Sequence, residues 1–187
     1  MMDCYIDIKL RPDPEFGPAL LMNTLYAKLH RGLVDIKSTS IGVSFPEAKT
    51  EQPTMGGIMR LHGNDQDLER LMGTTWMKGM FDHTSVFGPL EVPDKTEHRV
   101  VRRVQAKSNP ERMRRRLAKR KGITLNEARE LIPDHKAKFL SLPFLKLNSR
   151  STGHPFQIFV DQRMSEVPIK AGFNQFGLSS KATVPWF

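Results

Sequence analysis

The amino-acid sequence predicts an α+β protein in two parts, residues 1–95 and 96–187. Two observations carry this. In the first part, apolar residues repeat with the periods of strand and helix in the order β-α-β-β-α-β. In the second, a dense run of arginines and lysines framed by helix caps is set among short apolar strands.

Residues 4–10, CYIDIKL, alternate: Tyr5, Asp7 and Lys9 share one face, Ile6, Ile8 and Leu10 the other, as in a half-buried strand. RPDPEFGP then breaks it. In 19–33, ALLMNTLYAKLHRGL, Leu21, Leu25 and Leu29 recur every four residues, which predicts an amphipathic helix with Gly32 as its stop. IGVSF (41–45) and GIMRLHG (57–63) read as strands. NDQDLERLMG (64–73) has a capping Asn64, acids in its first turn and a closing Gly73, so it reads as a short helix. TSVFGPLEV (84–92) completes the set. This order is that of a ferredoxin-like fold, an arrangement common among RNA-recognition modules, although fold by itself does not give function.

PDKTEH (93–98) reads as a linker, and RVVRRVQA after it as extended. SNPERMRRRLAKRK has the spacing Ser108-x-x-Glu111 of a capping box, Pro110 in the first turn and Gly122 beyond the end, so a helix is expected at about 109–121. TLNEARELIP (124–133) repeats the logic with Thr124 and Glu127. LPFLKLN, HPFQIFV and GFNQFGL read as further short strands.

Charge is unevenly spread. The chain of 187 residues carries 29 Lys and Arg, 20 Asp and Glu and a formal charge of +9. Residues 99–121 alone hold eleven of those bases and a single acid, Glu111, so the rest is nearly neutral. Arg112, Arg116, Lys119 and Arg120 fall on roughly one helical face, while Met113 and Leu117 form only a narrow apolar strip. A solvated charged face would need acids at three- and four-residue spacing, which Glu111 alone does not supply. A localised basic stripe of this kind attracts polyanions. Anionic membrane fits poorly, because the strip lacks Trp, Phe and an extended Leu face.

A single cysteine, Cys4, excludes an internal disulfide and fits a reducing, cytoplasmic setting. There is no charged leader followed by an apolar run and no stretch of 18 apolar residues, so neither a secretion signal nor a membrane span is expected. No cluster of His, Cys, Asp and Glu has metal-ligand spacing, and no G-x-S-x-G occurs, so neither a metal cofactor nor any other is expected. Six histidines are present, at 30, 62, 83, 98, 135 and 154, and sequence alone does not separate a catalyst among them from core or surface residues. Ser149 and Ser151 lie in a polar, Gly-containing stretch that reads as a hairpin turn. Phe156 has the surroundings of a core residue. Arg103 and Gln105, alternating with Val104, project from one face of an extended segment, either as base readers or as a solvated strand face.

IDIKLRPDPEF, KLH in the first helix, IGVSFP, RVQAKSNPERMRRRL, LPF, SRSTGHPF and the terminal GLSSKATVPWF together resemble one family nearly end to end. It is the CRISPR-associated endoribonuclease family of the Cas-six superfamily, Csy type, which processes repeat transcripts in type I-F systems. The resemblance implies a ferredoxin-like N-terminal domain and a C-terminal domain whose arginine-rich helix docks in the major groove of a repeat hairpin. It implies cleavage at the 3′ base of the stem without metal, retention of the mature guide RNA, and assembly with other subunits of the type I-F surveillance complex. By position, His30 matches the family's general base, Ser149 the serine that positions the attacking 2′-hydroxyl, and Ser151 a second serine beside the scissile phosphate. Arg103 and Gln105 match the readers of the stem base, and Phe156 the aromatic stacked under the last base pair. Lys107, Arg112, Arg115, Arg116, Lys119 and Arg120 fall to the RNA-binding set. Two positions depart from the family pattern: Lys119 replaces an Arg and keeps charge without the fork, and Phe176 replaces a Tyr beside the histidine, which removes a hydroxyl.

RNA carries its own nucleophile, and a base that takes the 2′-OH proton yields a 2′,3′-cyclic phosphate and a 5′-hydroxyl. Histidine suits that task, with an ordinary pKa of about 6.5. A non-cleaving RNA-hairpin-binding subunit would use the same basic helix and readers. A DNA-binding regulator would call for a dimerisation element and a helix-turn-helix, and neither is evident.

Overall fold

The computed structural model describes residues 2–105, 110–134, 140–149 and 152–187. Lys107, Ser108 and Ser151 lie outside them. The chain forms two compact units, Met1–Arg103 with Leu142–Phe187, and Val104–Ser141.

In the larger unit the first strand, β1, is Cys4–Leu10, with Ile6, Ile8 and Leu10 buried as the alternation predicts. Helix α1 spans Pro18–Asp35, β2 Gly42–Ser44, β3 Ile58–Gly63, α2 Asp65–Met72 and β4 Thr84–Glu91. β1 is central: it pairs antiparallel with β3 on one side and β4 on the other, and β2 joins β3, giving the order β2-β3-β1-β4. Asn64 caps α2 by accepting the Asp67 amide at 2.7 Å.

Three sequence expectations are corrected. Gly32 does not stop α1: it is buried inside the helix, and a Cβ there would lie 2.9 Å from Cβ of Trp76. Its smallness lets the Trp76 segment close on the helix. The stop comes at Lys37, which takes a left-handed φ of 52°. Its amide donates to the Val34 carbonyl and that of Ser38 to the Leu33 carbonyl, both at 3.0 Å, a Schellman closure built without glycine. Second, the polar stretch 93–98 gives up Glu97 and His98 to strand β5, Glu97–Val104. Third, residues 172–178 form a turn rather than a strand. The terminal TVPW, for which sequence reasoning names no element, is a strand, β8 (Thr183–Trp186).

With β6 (Phe144–Asn148) and β7 (Pro155–Ser165), β5 and β8 make a second sheet in the order β6-β7-β5-β8. Leu145 and Leu147 of β6, Ile158 and Val160 of β7, Val101 of β5 and Val184 of β8 share one apolar core with the first sheet and with Leu25 and Leu29 of α1. The architecture is thus α+β with two four-stranded sheets.

The smaller unit holds α3, Pro110–Lys121, and α4, Leu125–Leu131, packed on each other. Gly122 (φ 65°) closes α3, and Thr124 with Glu127 forms the expected capping box on α4. Among the described residues, no helix is long and apolar enough to cross a membrane.

Candidate active site and nucleic-acid interface

The amphipathic pattern of α1 sends Leu21, Leu25, Leu29 and Leu33 into the core. Tyr26 and His30, four residues apart, lie one turn from each other on the helix. Both meet the turn that follows Phe173. The imidazole of His30 stacks on the Phe176 ring with centroids 3.9 Å apart and planes 6° from parallel. Its Nδ1 lies 2.7 Å from the Gln175 carbonyl oxygen. A carbonyl only accepts, so Nδ1 carries the hydrogen, and in the neutral ring Nε2 keeps the lone pair. Tyr26 is fully buried, and its hydroxyl donates to the next carbonyl, that of Phe176, at 2.8 Å. Burial holds this phenol well above its ordinary pKa, so it stays a donor.

Phe176 therefore does by packing what a hydroxyl cannot do here, while a main-chain carbonyl supplies the hydrogen bond. Sequence reasoning missed Gln175 and Tyr26. The carbonyl carries no side-chain signal, whereas Tyr26 could have been found from its one-turn spacing to His30.

Ser149 opens the turn of the β6–β7 hairpin, one residue past the Asn148–Pro155 pair. Its amide donates to the His154 carbonyl at 3.0 Å and its carbonyl accepts from Gly153 at 2.8 Å. The hairpin-turn expectation thus holds for Ser149, while Ser151 lies outside the described residues. β6 packs against α1, and its Lys146 amide donates to Asn23 Oδ1 at 2.9 Å, so the hairpin ending in Ser149 is docked on the helix that carries His30. Phe156, directly opposite Leu147, is half-buried against the core. The Arg103 guanidinium stands 5.9 Å from its ring centroid, which brings two of the expected stem-base residues together. Gln105 is exposed just past the end of β5.

In the smaller unit, Arg112, Arg115, Arg116 and Lys119 border one concavity of about 420 Å³. Arg115 takes the place there that the helical reading gave to Arg120, which is exposed but outside it. Positions 112, 115, 116 and 119 follow three- and four-residue spacing, so their guanidinium and ammonium groups converge. Arg114 points the other way. It is buried, donating to the Ile132 carbonyl at 2.8 Å and to Asp134 at 2.7 Å. Among the described residues, no group of three or more His, Cys, Asp or Glu is placed to hold a metal ion.

Residues 5–187 match the family described as CRISPR-associated protein (Cas_Csy4). Two similar proteins are both named CRISPR-associated endonuclease Cas6/Csy4. The one from Pseudomonas aeruginosa (strain UCBPP-PA14) is 46% identical and the one from Escherichia coli (strain UTI89 / UPEC) 40% identical, each over 187 residues and the full length of both chains.

Proposed function

The chain belongs to the Cas_Csy4 family of CRISPR-associated proteins and is an endonuclease; from that premise we propose that it cuts CRISPR repeat RNA at the 3′ base of the repeat stem-loop, without metal, and keeps the mature guide RNA. The observation that carries the reading is His30, held between the Phe176 ring and the Gln175 carbonyl with Nε2 left for substrate. In this mechanism Nε2 takes the proton of the 2′-hydroxyl upstream of the scissile phosphate. The 2′ oxygen bonds to phosphorus as the bond to the 5′ oxygen breaks. The products are a 2′,3′-cyclic phosphate and a 5′-hydroxyl, the departing oxygen taking up a proton. Ser149, on the hairpin docked against α1, positions the 2′-hydroxyl, and the family resemblance assigns Ser151 to the scissile phosphate.

The concavity of Arg112, Arg115, Arg116 and Lys119, with Arg120 and Lys107 beside it in sequence, grips the stem, so α3 acts as an arginine-rich groove-docking helix. The deep A-form groove opens near the ends of a short hairpin, where such a helix fits. Phosphates lying among these cations offset their mutual repulsion. Arg103 and Gln105 read purine edges at the stem base, and Phe156 stacks beneath the last pair. The order β2-β3-β1-β4 supports a ferredoxin-like first half, residues 1–95. Residues 96–187 carry the hairpin-binding residues, a functional division that does not coincide with the two compact units. Retention of the product makes the chain a subunit of the type I-F surveillance complex, and its substrate places it in the cytoplasm.

The test is incubation with a repeat hairpin in EDTA followed by end-group analysis. A cyclic phosphate and a 5′-hydroxyl are expected. Uncut, tightly bound hairpin would instead make the chain a non-cleaving hairpin-binding subunit.

A further inference from the structure

The Gln175 carbonyl that orients His30 is main chain, so no substitution at 175 removes it. Its direction is set by the turn around it, and that turn closes on one side chain. Asn174 Oδ1 accepts from the Phe176 amide at 2.8 Å and the Leu178 amide at 3.3 Å. The Asn174 main chain adds two bonds, its amide to the Leu178 carbonyl at 2.9 Å and its carbonyl from the Gly177 amide at 2.8 Å. The turn is pinned on its far side as well. Gly177 has a φ of 69°, a Cβ there would lie 2.4 Å from Val43 Cγ2, and its carbonyl accepts from the Val43 amide at 2.9 Å. So fixed, successive carbonyls diverge: that of Gln175 meets His30, and that of Phe176 meets Tyr26.

The geometry points to Asn174 as a positioning residue for the cleavage reaction: its carboxamide holds the turn that aims the Gln175 carbonyl at His30 Nδ1 and thereby keeps Nε2 free to act as base. This rests on the reading of His30 as general base. Without the Oδ1 acceptor the Phe176 and Leu178 amides turn to water, the carbonyl loses its aim, and the neutral imidazole is free to carry its hydrogen on Nε2, where it cannot take a proton.

The ring of His30 in RNA-free, 15N-histidine-labelled protein tests this by long-range proton–nitrogen correlation under alkaline conditions, where imidazole is neutral. The native chain is expected to show the Nδ1–H tautomer. Asn174→Ala is expected to populate Nε2–H. Asn174→Asp, which keeps an acceptor oxygen, is expected to retain Nδ1–H. In single-turnover cleavage, Asn174→Ala should lose roughly tenfold or more, a share of the 10²–10⁴ that general-base catalysis supplies. Hairpin affinity should stay within about twofold, because a base acts mainly in the transition state, and Asn174→Asp should recover most of the rate. An Nε2–H tautomer in the native chain overturns the proposal without any variant, so poor folding of Asn174→Ala does not shelter it. An unchanged tautomer in a folded Asn174→Ala also overturns it. If instead the tautomers behave as stated but His30→Ala cuts at the native rate, the general-base reading fails and the positioning of the ring stands.

Discussion

Arg114 donates to Asp134 at 2.7 Å from a side chain only 5% exposed, although it stands beside two arginines that face solvent. Three adjacent identical residues thus divide into one that holds α3 to the segment after α4 and two that border the basic concavity. Asp134 is itself largely exposed, so the ion pair adds little. The bond to the Ile132 carbonyl and the buried stem carry most of the anchoring.

Arg114→Ala is therefore expected to destabilise the 110–134 segment by about 1.5–3 kcal/mol, the usual worth of a hydrogen bond to a charged group. Amide exchange over that segment would report it. Arg115→Ala and Arg116→Ala should leave exchange unchanged and each flatten the salt dependence of hairpin binding by about one unit of slope. The reverse pattern would place Arg114 at the RNA.

Arg103→Ala should relax discrimination at a single stem-base position by roughly 1–3 kcal/mol, the value of a bidentate base contact. Its guanidinium sits near Phe156, so the reader and the stacking ring would meet adjacent parts of the same base pair. Binding measured across hairpins varied at each stem position decides the matter. A uniform loss would make Arg103 a phosphate contact.

His62 is fully buried on β3, with Nε2 2.8 Å from Ser44 Oγ. Burial, and then the nearby Arg60 cation, push its pKa down to about 3. The unfolded chain binds this proton at about 6.5, so stability from the neutral ring is complete above that pH and falls as pH drops toward 3, by up to about 1.4 kcal/mol per unit. Urea unfolding should show native protein losing about 2 kcal/mol more than His62→Gln between about pH 7 and about pH 5. Parallel curves for the two proteins would sink the assignment.

The elements that were legible in the sequence are those whose signals are local. The alternation of β1, the Asn64 cap of α2 and the Thr124–Glu127 box each lie within a few residues, and each is found where expected. What was not legible depends on distant partners. Gly32 reads as a stop until Trp76 closes on it. GFNQFGL has strand composition, yet Asn174 and Gly177 bend it into a turn against Val43. TVPW is a strand despite Pro185 because β8 is a sheet edge, where a missing amide is tolerated. At the site, a chain with six histidines singles out His30 only through family resemblance, and the carbonyl that orients it leaves no mark on side-chain composition.

His30→Ala should bind the repeat hairpin nearly as tightly as the native chain and cut it about 10²–10⁴-fold more slowly, the range that general-base catalysis supplies. The ring stacks on Phe176 and bonds to Gln175 at its back, so its removal takes a proton acceptor from the transition state and little from ground-state binding. Phe176→Tyr tests the same geometry from the other side. Because the stack and the carbonyl already orient the imidazole, the added hydroxyl should change the rate by less than about threefold, within the context scatter of a single hydrogen bond. Substituting hydrogen for the 2′-hydroxyl upstream of the scissile phosphate should abolish cleavage by the native chain, since the nucleophile itself is gone, and EDTA should leave native cleavage unchanged. Cutting of the 2′-deoxy substrate, or rescue by Mg²⁺ after chelation, would point to a metal-activated water and end the case for His30 as the base.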